Sequence, residues 1–186
     1  MSDYADDVSI ANEEVLYRRV KLNVDLITFD PTSIKLRPTS TAFNNTMKPL
    51  ELPAGSALGA KPERVETYMS VFVENRLLDL RLDSNSVLDG LADFVLVKLT
   101  SGQVRELGIA RESAQQVFYE PEAPPPPCMA AHGGVAGKKT KGLRKDLSEQ
   151  AVWVVPPSVE WVIENRATLR IPDDFAVEEQ FETLLS

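Results

Sequence analysis

Four consecutive prolines, Pro124 to Pro127, cut this chain of 186 residues into two stretches of different character. Each lacks the backbone N–H that a helix interior or a sheet ladder needs, so no regular element passes through them. Before the run, apolar residues tend to recur at every second position. After it they recur at helical spacing. The expected fold class is therefore α+β, a mainly antiparallel sheet with helices gathered toward the C-terminal half.

The local pattern assigns the pieces. Val20, Leu22, Val24 and Leu26 alternate with Lys21, Asn23 and Asp25, a half-buried strand that Asp30-Pro31 ends. Ile34 and Leu36 open a short extended piece closed by Pro38, and residues 44–62 read as a long loop. Alternation resumes over 66–74, and Ser84 or Ser86 is placed to cap a short helix through Leu91. Phe94 to Leu99 is the strongest strand. Thr100-Ser101-Gly102-Gln103 reads as a tight turn that returns Val104 to Ile109 as its hairpin partner, the centre of the sheet. Val117 to Tyr119 gives another strand. Lys141 to Val155 reads as one helix with Leu143, Leu147, Ala151 and Val154 on a face, stopped by Pro156-Pro157. Ser158 caps a further helix over 159–165, and Trp153 and Trp161 are expected in the core.

The organisation expected is a disordered acidic segment over 1–12, one domain over 13–165 with a Pro/Gly-rich loop at 120–140, and an acidic amphipathic tail over 166–186. That tail sets Phe175, Val177, Phe181, Leu184 and Leu185 among acids, a pattern suited to docking on a partner or on the protein itself. The net charge of −8 belongs to the ends. Residues 1–14 and 171–186 each hold five acids and no base, which leaves 20 basic against 18 acidic residues between them. No apolar run approaches the roughly 20 residues of a membrane span, so no membrane association is expected. The acidic start lacks the order of a signal peptide, and one cysteine gives no disulfide framework. Cytoplasmic localisation is the expectation.

Residues 120–145 collect the chemistry: the only cysteine, Cys128, the only histidine, His132, a run Gly133-Gly134-Val135-Ala136-Gly137, and Lys138, Lys139, Lys141, Arg144 and Lys145. Those five cations are expected to contact an anion or an acidic protein surface. Nucleic acid is compatible with the charge but not indicated, because no aromatic residue lies between Lys138 and Lys145. The stretch approaches G-x-x-x-x-G-K-[ST] and fails it. Aligned on Lys139-Thr140 the required glycine is Lys138, and aligned on Gly137-Lys138 no hydroxyl follows. His132 is a candidate general base. One histidine and one cysteine supply too few soft ligands for zinc, so neither metal nor cofactor is expected.

Two resemblances add to this reading. Leu16-Tyr17-Arg18-Arg19-Val20, Thr39-Ser40-Thr41 and Glu120-Pro121-Glu122 stand in the order found in arginine-type ADP-ribosyltransferases. That resemblance implies an arginine holding a nicotinamide dinucleotide, a Ser/Thr step bracing the pocket and paired glutamates orienting the acceptor. With His132 it makes Arg18, Arg19 and Ser40 the candidate catalytic residues. Over roughly residues 14–156, the order Leu16 to Arg19, Arg37 to Phe43, Met69 to Val71, Ala131 to Gly133 and Ala151 to Val154 looks like a family of small prokaryotic proteins. This second resemblance implies one shared domain and carries no activity. The function expected first is a soluble, non-enzymatic accessory or interaction protein in a prokaryotic multi-protein system, its partner met through the acidic tail or the basic loop. The alternative is an ADP-ribosyltransferase-like or nucleotide-binding enzyme.

Overall fold

A computed structural model describes residues 4–45, 47–49, 64–66, 68–123 and 125–185. Six antiparallel strands form the main sheet: β1 (Val15–Lys21), β6 (Met69–Val73), β7 (Phe94–Thr100), β8 (Gln116–Tyr119), β9 (His132–Ala136) and β10 (Val152–Val155). Their spatial order is β10-β7-β1-β6-β9-β8. Two short hairpins stand apart, β2 (Ile27–Asp30) with β3 (Lys35–Pro38), and β4 (Met47–Pro49) with β5 (Arg64–Glu66). The helices are α1 (Glu74–Asp79), α2 (Ser101–Ala110), α3 (Lys141–Gln150), α4 (Val159–Glu164), α5 (Arg166–Leu169) and α6 (Val177–Leu185). The α+β class and the antiparallel sheet are as expected, with α3 to α6 in the C-terminal part.

Both faces of the sheet are covered, which is why its central strands are apolar on both sides. On one face Leu16, Val20, Met69, Val71, Val97 and Val135 join Val104 of α2, Leu143 and Leu147 of α3, and Val162, Val177 and Leu184 in the largest core cluster. On the other, Tyr17, Phe72 and Leu96 pack with Leu77, Val87, Cys128 and Ala131. A third group, Tyr68, Phe118 and Ala136 with Tyr4, lies along β8 and β9.

Several expectations change. The partner strand to Phe94–Thr100 is not 104–109, because that stretch is α2. Thr100 accepts from Gln103 N while the Gln103 side chain accepts from Thr100 N, so Thr-x-x-Gln is a capping box and not a turn. Such a cap contributes about 1 kcal/mol. β1 takes the place of the hairpin partner, with seven paired positions from Val15 to Lys21. The helix expected over 141–155 ends at Gln150, and Val152–Val155 becomes the edge strand β10. Val20 to Leu26 is not one strand, since β1 stops at Lys21. At 84–88 the chain makes a 3-10 turn capped by Asp83, whose carboxylate accepts from Ser86 N, instead of a helix capped by serine. Residues 46 and 50–62 of the expected long loop lie outside the described residues; its start includes β4.

Within the N-terminal segment expected to be disordered, the described residues from Tyr4 pack against the body. Tyr4 stacks on Phe118 at 4.4 Å, Asp7 N donates to Val117 O, and Asp6 accepts from Val117 N and pairs with Arg105. Ile10 is fully buried. These contacts satisfy Val117 on the outer edge of β8, whose N–H and C=O would otherwise be unpaired. At the other end α6 turns its apolar side inward: Val177 and Leu184 are in the main core, while Glu178, Glu179 and Glu182 face solvent.

Candidate functional site

The sheet is not uniformly zipped. β1 and β7 pair over seven positions, whereas β1 and β6 pair only at Leu16 with Val73 and Tyr17 with Phe72. Beyond Tyr17 the strand pairing stops, and the Arg18 side chain reaches across to β6. Arg18 Nη1 donates to Ser70 O at 2.8 Å, taking a carbonyl that a regular ladder would use. Its Nε donates to Ala42 O at 2.7 Å and its Nη2 to Asn44 O at 3.4 Å. Burial among neutral acceptors pulls this guanidinium down to about 10. Arg19, pointing to the opposite face, lies 4.4 Å from the centre of the Phe72 ring, donates to Val87 O and reaches Cys128 Sγ at 3.4 Å. Burial lowers Arg19 and raises the Cys128 thiol, so Cys128 is a packed thiol and no activated nucleophile.

His132 starts β9, opposite Phe72, and Ser70 on β6 pairs with Gly134. Residues two apart share a face, so Ser70 and His132 are diagonal neighbours on the Phe72 side of the sheet. Ser70 Oγ and His132 Nε2 are 2.6 Å apart. Nδ1 lies 3.0 Å from Glu120 O and 3.6 Å from the Glu122 carboxylate. A backbone carbonyl only accepts, which assigns the ring proton to Nδ1. Nε2 then presents a lone pair, and the Ser70 hydroxyl donates to it. Two backbone bonds fix the acidic bend behind the ring, Glu120 N to His132 O and Glu122 N to Met129 O.

His132 is buried, wedged edge-on against Phe72 at 5.6 Å and tilted toward Tyr68 at 6.1 Å, while Ser70 is only half-buried. The Tyr68 hydroxyl meets the Glu120 carboxylate, and burial together with that carboxylate raises its pKa. Arg19 and His132 thus flank one phenyl ring, and Arg19 has no carboxylate partner among the described residues. The set contains a half-buried serine, a base in a defined tautomer, a carboxylate behind the base and a cation on the same face. It can transfer the serine proton and stabilise the imidazolium that results.

Of the sequence candidates, His132, Arg18 and Arg19 converge here, Arg18 through the Ser70 carbonyl. Ser40 does not join them. It lies in the 3-10 turn Ser40–Phe43 and lines a separate polar groove with Thr28, Asp30, Thr39 and Lys145. The five cations do not form one exposed patch either. Lys139 is buried, with Nζ donating to Gln115 Oε1 and Val135 O, Lys145 pairs with Glu149, and Arg144 reaches Asn44. Lys138 and Lys141 stay exposed. Among the described residues no ion pair joins them to the acids of α6. Ser70 and Glu122 are the parts that sequence reading did not assign to a His132 site. The pairs are 62 and 10 residues apart in the chain, and no local spacing signals them.

No protein family matches the chain, and neither a curated protein nor a solved structure does. Among the described residues no group of three His, Cys, Asp or Glu side chains is placed to hold a metal ion, and no helix is long and apolar enough to cross a membrane.

Proposed function

We propose that this protein is a cytoplasmic hydrolase or group-transfer enzyme that works through a covalent intermediate on Ser70. The observation that carries the reading is the 2.6 Å contact from Ser70 Oγ to an imidazole nitrogen whose tautomer the Glu120 carbonyl fixes. In the proposed step Ser70 Oγ attacks an electrophilic carbonyl carbon as His132 Nε2 takes its proton. The leaving group departs with that proton, and water, deprotonated by the same nitrogen, releases the acyl group and restores the serine. Glu122 offsets the transient charge on the ring. Arg19 holds an anionic substituent of the substrate.

A fluorophosphonate probe tests this directly, since it forms an Oγ–P bond with loss of fluoride and needs the same proton acceptor. Intact-mass measurement is expected to show one adduct, mapped to Ser70 and absent from Ser70→Ala. In His132→Gln, labelling should slow by about 100-fold, the lower range for a general base. Failure of the folded wild-type protein to react at all, or undiminished labelling of Ser70→Ala, ends the proposal.

One observation favours a second reading, the accessory protein that docks on a partner: Glu178, Glu179 and Glu182 form an outward acidic side on a helix whose inner side is anchored. Deleting the tail cannot test it, because the core would go too. Charge reversal at those three positions keeps the inner side intact and is expected to abolish capture of a basic partner at low salt while leaving the unfolding midpoint in place. Capture insensitive to both charge reversal and salt removes this reading.

A further inference from the structure

A second cluster of cations lies just behind Ser70, on the other side of the sheet. The segment Asn44-Asn45, extended just past the 3-10 turn at Ser40–Phe43, receives three basic side chains or their partners. Arg18 Nη2 donates to Asn44 O, Arg144 Nη1 donates to Asn44 Oδ1, and Asn45 Nδ2 donates to Gly137 O, which also accepts from Lys139 Nζ. Neither Arg18 nor Arg144 has a carboxylate within ion-pair reach among the described residues. All their partners are neutral. Such an arrangement buries charge without neutralising it, and that opposes folding.

An unmet hydrogen bond marks the same spot. Arg144 Nε is buried with no acceptor, although the residue as a whole is half-buried and so are Arg18, Asn44 and Asn45. Asn45 Oδ1 is a buried acceptor with no donor. Two cations, one orphaned guanidinium N–H and one orphaned acceptor ask for a ligand that is anionic, rich in acceptors and able to donate once. A hydrogenphosphate group has all three properties. We propose that Arg18, Arg144 and the Asn44-Asn45 segment form a binding site for a phosphate group, free or carried by a nucleotide. Arg144 supplies the guanidinium edge, Arg18 the charge from below, and Asn45 Oδ1 accepts from the P–O–H.

Folding opposed by an uncompensated cation is relieved by the anion, so binding reads out as stability. Below about pH 10 the Arg18 charge is present in the folded and the unfolded chain alike, and the relief applies across the neutral range. The site does not depend on Ser70 chemistry. Labelling of Ser70 and phosphate binding can each fail without the other.

The experiment follows the unfolding midpoint of the full chain in sodium phosphate, ADP or sodium chloride at equal ionic strength. Phosphate is expected to raise the midpoint saturably and chloride is not. The response should survive Lys138→Ala/Lys141→Ala, which removes two exposed cations outside the site, and weaken at least tenfold in Arg144→Gln. Arg18→Gln should weaken it as well; if that variant does not fold, Arg144→Gln decides alone. Saturation by ADP at lower concentration than phosphate identifies a nucleotide site, and the reverse order identifies a site for the free ion. A phosphate effect no larger than that of chloride, or one kept intact in Arg144→Gln, overturns the proposal.

Discussion

Gly133→Ala is expected to lose about 2–3 kcal/mol of unfolding stability, the upper range for forcing atoms into a filled site. A Cβ at this position would stand 2.6 Å from Phe118 O and 3.3 Å from Val73 Cγ2. The first of these is backbone of the neighbouring strand, paired in register with β9, and it cannot withdraw without opening the β8–β9 ladder. Phe118 is also held from outside, stacked on Tyr4 and edge-on to Tyr68 at 5.2 Å. Urea unfolding followed by circular dichroism measures the loss. Since Glu120 N bonds to His132 O, the same change should displace the acidic bend and slow Ser70 labelling. A variant as stable as the wild type would mean that β8 yields more easily than its contacts imply.

Leu184→Ala is expected to cost about 2–5 kcal/mol, the range for removing a fully buried leucine. Leu184 is 0% exposed and lies in the main cluster with Val162, Leu169 and Val177. α6 also packs along β3, and Phe175 approaches Phe29 at 6.1 Å between ring centres. Glu182→Ala, two residues away and exposed, should stay within about 0.5 kcal/mol. Equal midpoints for the two variants would show that the last helix merely lies on the surface.

Much of the architecture was legible because burial imprints a period. Phe94 to Leu99, buried on both faces, and Val117 to Phe118, beside the proline run, carry that imprint strongly. Ser158, with its hydroxyl accepting from Trp161 N, announces α4. The misreadings have physical sources. In α2 the apolar residues Val104 and Leu107 stand at helical i, i+3 spacing and face the core, while Ile109, which extends a strand-like reading, is 72% exposed and contributes nothing to it. Thr100 to Gln103 carries a capping signal whose small and polar residues also suit a turn. At 141–155, Leu147, Ala151 and Val154 keep helical spacing across a real break, and only the β-branched run after Ala151 hints at a strand.

The site was half legible. His132 and the two arginines stand out by type. Ser70 does not, because a serine in an alternating strand looks like an ordinary solvent-side residue. What joins it to His132 is the pairing of β6 with β9, a contact across 62 residues. Ser40 was singled out by its neighbours in the chain, and the fold leads it elsewhere.

The two tryptophans sit on the same side of the sheet. Trp153 donates from its indole to Leu36 O, and Trp161 packs against the same cluster of aliphatic side chains. The face bearing Ser70 and His132 has tyrosine and phenylalanine instead. Intrinsic tryptophan emission is therefore a one-sided reporter. It will follow the aliphatic core and be nearly blind to loosening around His132, which would surface first in the tyrosine bands of the near-ultraviolet spectrum. Two melting curves recorded at different wavelengths would then separate along the thickness of the molecule, and the gap between them would measure how independently its two faces let go.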